Sequence, residues 1–443
     1  MTKVTKSKLT GYLPMNFDID QHLKKYPPNS IKPFDRNELV YILSLITRIP
    51  ARAERHENEY VSIKAEYLQN KIRNYKQYFD YSIQSGIIET NGHYLPGKKS
   101  KGYKFTNKFL TRVKGEPIVK YLLVKKDRSE REAKNRATEK KYSYLTKFFN
   151  DNLTFNYEGA KQLLISNSTT IENYNFNLVR LDELHDKNYR YSVDQTAHRF
   201  HSNLTNLKTD FRQFITYGND DLVSVDIRNS QPFFSLLLLR PDFYENFESP
   251  INIQSIYSHI FNYSTHTTPL NIPLMICKCS ESIASKEIQE FSELVLSGQI
   301  YEYLAKEIYD EKGIVYGDRR ELKNEFFHAF YSPNQTIGKP DAHLRRLFRD
   351  RFPAVYEIFS LIKRKDHRLF PILLQRIESF IVVEQICARI AQMRPHLPIY
   401  TVHDSIVTTV GNEGFIEAII REEIERLTGY VPNLNIEKWT KVF

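Results

Sequence analysis

The stretch DLVSVDIRNSQPFFSLLLL, residues 221–239, changes character in its middle. Leu222 to Val225 form a short β-rich apolar run that delivers a carboxylate, Asp226, at its end, and an apolar segment of helical length follows. Strand then helix, on a chain with many other helical runs, predicts an α+β fold. A carboxylate at the end of a buried strand costs free energy unless it carries a metal or caps a turn.

A second carboxylate stands in the same setting. In PIYTVHDSIVTT, residues 398–409, two β-rich runs flank His403, Asp404 and Ser405. Either Asp alone reads better as an ordinary hairpin-turn residue. Brought together from separate strands, the two would hold a pair of Mg²⁺ ions roughly 3.5–4 Å apart, activating a hydroxyl and steadying a pyrophosphate leaving group, with Mn²⁺ as a substitute.

Between them lies DRRELKNEFFHAFYS, residues 318–332. Arg319, Lys323, Phe327 and Tyr331 recur at every fourth position, so a helix aligns them along one face. That face offers two cations for a triphosphate, then one ring for a sugar and another for a base.

In this order the three segments resemble the polymerase motifs of the family A DNA polymerases and of their relatives, the single-subunit RNA polymerases. The resemblance extends to TAHRFHSNLTNLKTDFRQF, where Thr196, Arg199 and Ser202 match residues near primer and template, and to Gln375, which matches a glutamine contacting the duplex minor groove. It covers roughly the last 250 residues. It implies a right-hand polymerase with palm, fingers and a reduced thumb. Asp226 and Asp404 would be the catalytic metal ligands. Arg319 and Lys323 would bind the triphosphate, Lys323 also protonating pyrophosphate, and Phe327 and Tyr331 would pack on the nucleotide. Arg199, Gln375 and His403 would hold primer and template.

Departures from the pattern matter as much. Tyr331 is followed by Ser332 where the family has Gly, and Ser405 replaces the acidic residue common in DNA polymerases, as in the RNA polymerase branch. Five residues after Asp226 stands Gln231, where DNA polymerases carry a Glu that excludes the ribose 2′-hydroxyl and RNA polymerases carry Gly. Gln is nearly as bulky as Glu, which favours dNTPs.

A formal charge of +10, a pI of about 9.1 and 13% aromatic residues agree with a polyanionic partner and stacked bases, here a DNA primer-template. The three cysteines, Cys277, Cys279 and Cys387, lack the further ligands of a zinc site and fit a reducing compartment. Without a long apolar window or a signal-like start, no membrane partner and a cytoplasmic location are expected.

The expected organisation begins with a polar arm, residues 1–32. Asp35 then caps an amphipathic helix, opening a winged-helix-like DNA-binding module over residues 33–112 whose basic loop carries Lys98, Lys99 and Lys101. Residues 113–195 would form a helical thumb-like region, including a long solvated helix, and residues 196–443 the palm and fingers, the fingers at about 285–350. Fewer than 200 residues precede the polymerase segments, too few to add a proofreading exonuclease. The combination suits a phage, plasmid or other mobile element. The alternatives are a single-subunit RNA polymerase and a non-catalytic replication initiator, which would need neither carboxylate; the paired-Asp hairpin of reverse transcriptases is missing.

Overall fold

The computed structural model describes residues 9–52, 60–92, 95, 100–246, 248–256 and 271–440. The chain is mixed α/β and divides into two compact units. One comprises Met1–Ser143, Phe149–Ser192 and Ser202–Gly218; the other comprises Tyr144–Phe148, Val193–His201 and Asn219–Phe443.

In the first unit the strand Leu9–Pro14 runs antiparallel to Val113–Ile118, with Leu9 opposite Ile118 and Pro14 opposite Val113. This ladder draws the start of the chain into the core, where Leu9, Tyr12, Leu13, Phe17 and Ile19 are buried. The expected arm over residues 1–32 is therefore corrected: from Leu9 onward it is a folded element. The same ladder removes the boundary expected near residue 112, since residues on both sides of it share one unit. Both errors have one cause, a strand whose partner lies far along the chain where no local pattern records it.

Asp35 starts the helix Arg36–Arg52, its carboxylate accepting from the N–H groups of Asn37 and Glu38 at 2.8 and 3.4 Å. Expected to be amphipathic, this helix is buried on all sides from Leu39 to Arg48. The strand Leu9–Pro14 and the helix Ile171–His185 both pack on it. Gly11 permits the strand's approach, because a Cβ there would come within 2.5 Å of Val40 Cγ1. Buried Arg48 faces Asp127 at 3.4 Å, and the Tyr41 hydroxyl donates to the same carboxylate at 2.8 Å. Asp127 belongs to the helix Tyr121–Lys141, which is not solvated all round but buries Leu123, Val124, Asp127, Asn135 and Thr138.

The segment read as a winged helix contains the helices Ala65–Gln69 and Tyr75–Gln84 and a three-stranded antiparallel sheet in which Gly102–Phe105 lies between Val61–Ser62 and Ile88–Thr90. Phe79 and Tyr103 stack at 4.2 Å to join helix and sheet. Lys98 and Lys99 lie outside the described residues, while Lys101 is exposed.

In the second unit the strand Asp220–Ile227 lies between Ser405–Thr409 and Leu434–Lys438, all antiparallel, with Tyr400–Val402 beyond Ser405–Thr409. Leu222 to Val225 are buried without a break, so this strand reads as a continuous run and not as an alternation. The helix Glu413–Thr428 covers the sheet and buries Ile416, Ile419, Ile420 and Ile424. A helical layer carries an aromatic core in which Phe330 sits 4.8, 5.9, 5.1 and 5.0 Å from Phe326, Phe348, Phe359 and Phe370. Each such pair adds about 0.5–1.5 kcal/mol beyond its area burial.

This core holds the helix Arg319–Tyr331 in place. Asp318 caps its start by accepting from the Glu321 N–H at 2.7 Å. It stops at Ser332 because Pro333 disfavours helical geometry in the residue before it. Lys363, buried and lowered to about 7 by that burial, donates to the Phe330 carbonyl at 2.8 Å, and Arg345 donates to the carbonyls of Ser332 and Pro333 at 3.1 and 2.7 Å. Helix-end carbonyls left without N–H partners are satisfied this way.

Candidate active site

Asp226 faces Ser405 across the ladder, and Asp404 occupies the turn between Tyr400–Val402 and Ser405–Thr409. His403, exposed, takes a φ of 56° in that turn, while the Ser405 hydroxyl donates back to the Val402 carbonyl at 2.7 Å. The turn thereby presents Asp404 beside Asp226, near enough for the two carboxyls to interact. Burial first, and then the charge of Asp404, raises the Asp226 carboxyl to about 8, so Asp226 retains its proton at neutral pH. Lys323 pulls the other way.

The face of the Arg319–Tyr331 helix is graded from solvent to interior. Arg319 and Lys323 are exposed, whereas Phe327 and Tyr331 are half-buried. The Arg319 guanidinium pairs with Glu302 at 2.9 Å and lies 5.8 Å from the Tyr301 ring. Lys323 Nζ is 5.7 Å from the Phe327 ring, which stacks on Tyr331 at 5.3 Å with planes 6° apart.

Gln231 joins this face to the carboxylates. Asn229, at a left-handed φ of 53°, turns the chain from the Asp226 strand into the helix Ser230–Ser235, and its amide donates to the Gly298 carbonyl at 3.1 Å. Gln231 Oε1 accepts from the Tyr331 hydroxyl at 3.2 Å, and its Nε2 donates to Glu378 Oε2. The other oxygen of Glu378 accepts from Arg199 at 2.7 Å, and Ser230 Oγ donates to Oε2 at 3.3 Å. Burial, opposed by Arg199, raises the Glu378 carboxyl to about 7.

Local hydrogen bonds aim Arg199. Asp194 accepts from the N–H groups of Thr196, Ala197 and Arg199 at 2.9, 2.7 and 2.9 Å, closing the loop that carries it. These bonds and His201 hold the Asp194 carboxyl down at about 2 against the effect of burial. Ser202 spends its hydroxyl within the chain, accepting from the Leu204 N–H at 3.2 Å. Gln375 is half-buried one turn before Glu378 on the helix Leu369–Ser379.

Three members of this constellation escaped the sequence reading. Glu378 had a signal, an acid inside the apolar run LFPILLQRIESF. Asp194 had a weaker one, an Asp opening a loop whose N–H groups need an acceptor. Tyr301 had none: it is buried, has no hydroxyl partner among the described residues, and packs on Phe326 at 4.9 Å with the Arg319 guanidinium 5.8 Å from its ring.

Among the described residues no group of three or more His, Cys, Asp and Glu side chains forms a metal cage. Asp226 and Asp404 nevertheless offer hard oxygen donors whose mutual repulsion a cation would relieve in place of the proton. Such a two-carboxylate site fits Mg²⁺ or Mn²⁺, which commonly take their remaining ligands from water and substrate phosphates.

No protein-family model matches the chain, and neither does any curated protein. Among solved structures it is similar to the POL domain of Pol1 from M. smegmatis in complex with DNA primer-template and dNTP, at 14% identity and a TM-score of 0.30, over 65% of this chain and 56% of that one. The chain thus spans little more than half of that domain. No described helix is long and apolar enough to cross a membrane.

Proposed function

We propose that the chain is a template-directed DNA polymerase that transfers nucleotidyl groups from dNTPs to a primer 3′-hydroxyl. The observation that carries this reading is the juxtaposition of Asp226 and Asp404, with Lys323 acting on Asp226 from the helix that bears Arg319, Phe327 and Tyr331. Two juxtaposed acids and a facing cation are the parts phosphoryl transfer needs, since its catalysis is mostly positioning and charge neutralisation.

In this reading Asp226 and Asp404 hold two Mg²⁺ ions, which when bound polarise the attacking hydroxyl and stabilise charge on the leaving group. Arg319 and Lys323 neutralise the triphosphate, and Lys323 carries a proton to pyrophosphate. Phe327 and Tyr331 stack on sugar and base, and Gln231 reads the sugar's C2′ side. Arg199, Gln375 and His403 orient primer and template, while Lys98, Lys99 and Lys101 of the winged-helix-like module grip duplex phosphates. Palm and fingers then lie within the second unit, chiefly Asn219–Phe443, and no part of the chain proofreads.

Primer extension with dNTPs and NTPs in parallel, on DNA and RNA templates, tests this. Mg²⁺-dependent extension with dNTPs on DNA is expected; no extension in any arm overturns the proposal. Ser405, whose hydroxyl turns back to the backbone where a third acid could stand, favours one alternative, a single-subunit RNA polymerase. Preferential use of NTPs would establish it instead.

A further inference from the structure

We infer that Glu378 is a positioning residue that sets the orientation in which Gln231 meets the incoming sugar, an inference that rests on the polymerase reading above. A primary amide has a donor end and an acceptor end, and an unanchored Gln231 could present either, or swing away. The Glu378 carboxyl accepts at both oxygens, from Arg199 at one and from Ser230 at the other. Glu378 engages Arg199 with one oxygen and Ser230 and Gln231 with the other, so the Gln231 NH₂ is drawn towards Glu378 and the amide oxygen is left to accept from Tyr331. The amide is thus pinned at both ends between two helices, with its bulk held in one place. Glu378 is itself buried, and Arg199 is held by the Asp194 loop, so the anchor is supported on its far side.

The arrangement also explains the cost of placing an acid there. Glu378 would be expensive to bury for packing alone, yet Arg199, Ser230 and Gln231 all donate to it. A side chain that only filled space on this apolar helix would be a leucine or methionine.

The test is nucleotide selectivity in Glu378→Ala, Glu378→Gln, Gln231→Gly and the double variant Glu378→Ala/Gln231→Gly. The readout is the ratio of kcat/KM for dNTP over NTP, which does not depend on how much of a preparation is folded. Equilibrium binding of dNTP and NTP to a complex with 3′-dideoxy-terminated primer-template gives a second readout that needs no turnover. Glu378→Ala is expected to lower the ratio at least tenfold, Glu378→Gln less, and the double variant no further than Gln231→Gly alone, because the two act through one side chain. Unchanged ratios in both Glu378 variants, or a double variant whose loss is the product of the singles, would overturn the inference while leaving the polymerase reading intact. Wild-type protein that extends no primer would overturn both.

Discussion

Asp226 is paired with Ser405 across an antiparallel ladder, so Asp404, one residue back in the turn, stands beside it. Neither strand makes the site alone. A one-residue slip in register would move Asp226 to the opposite face of the sheet.

Removal of either acid should separate chemistry from folding. Asp226→Asn and Asp404→Asn keep side-chain volume and relieve the repulsion, so both variants are expected to fold and to bind primer-template. Incorporation should fall at least ~1000-fold, roughly 4 kcal/mol of transition-state stabilisation. Full-length products from either variant in a single-turnover assay would dissociate the pair from catalysis.

The pair also makes stability depend on pH and on divalent cations. Asp226 is raised from an ordinary value of 3.8 to about 8, so between those values the folded chain keeps a proton that the unfolded chain has released. Stability contributed by this group is therefore full at low pH and is lost as pH rises towards 8. A bound cation takes the proton's place. Mn²⁺ should raise Tm more at pH 8 than at pH 6, with proton release on binding, and Asp226→Asn should abolish both effects. Calorimetric titration at the two pH values checks this, and equal effects on wild type and variant would contradict it.

Gln231→Gly should open the C2′ side of the sugar site and raise NTP use relative to dNTP use. A clash of ~3 kcal/mol corresponds to a discrimination of roughly a hundredfold. Tyr331→Phe removes the hydroxyl that holds the Gln231 oxygen and should shift the ratio in the same direction by less. Competition between labelled dNTP and NTP at one template position measures both, and a ratio unmoved by Gln231→Gly would place the sugar filter elsewhere.

Asp194 should matter for acid stability and for Arg199. Its carboxyl, at about 2 in the fold, contributes stability present above its ordinary 3.8 and lost as pH falls towards 2. Asp194→Ala leaves three N–H groups without their acceptor and should cost ~1–3 kcal/mol, flattening that acid limb in denaturant titrations. If the variant matched wild type at both pH 7 and pH 3, the loop would owe its form to other contacts.

Local pattern alone located the strand that ends on Asp226, the turn that carries Asp404 and the face shared by Arg319, Lys323, Phe327 and Tyr331. Strand run, turn and four-residue spacing are short-range features, written within a dozen or so residues. What the sequence left open was decided by pairing between distant segments. Leu9–Pro14 became a core strand only because Val113–Ile118 accepts it, and the Arg36–Arg52 helix is buried all round from Leu39 to Arg48 only because packing surrounds it. Glu378 is the clearest case: its donors lie 179, 148 and 147 residues away, at Arg199, Ser230 and Gln231. Hydrogen bonds act over a few ångströms in space and leave no period in the chain, so only the tertiary structure could supply the acid that ties Arg199 to Gln231.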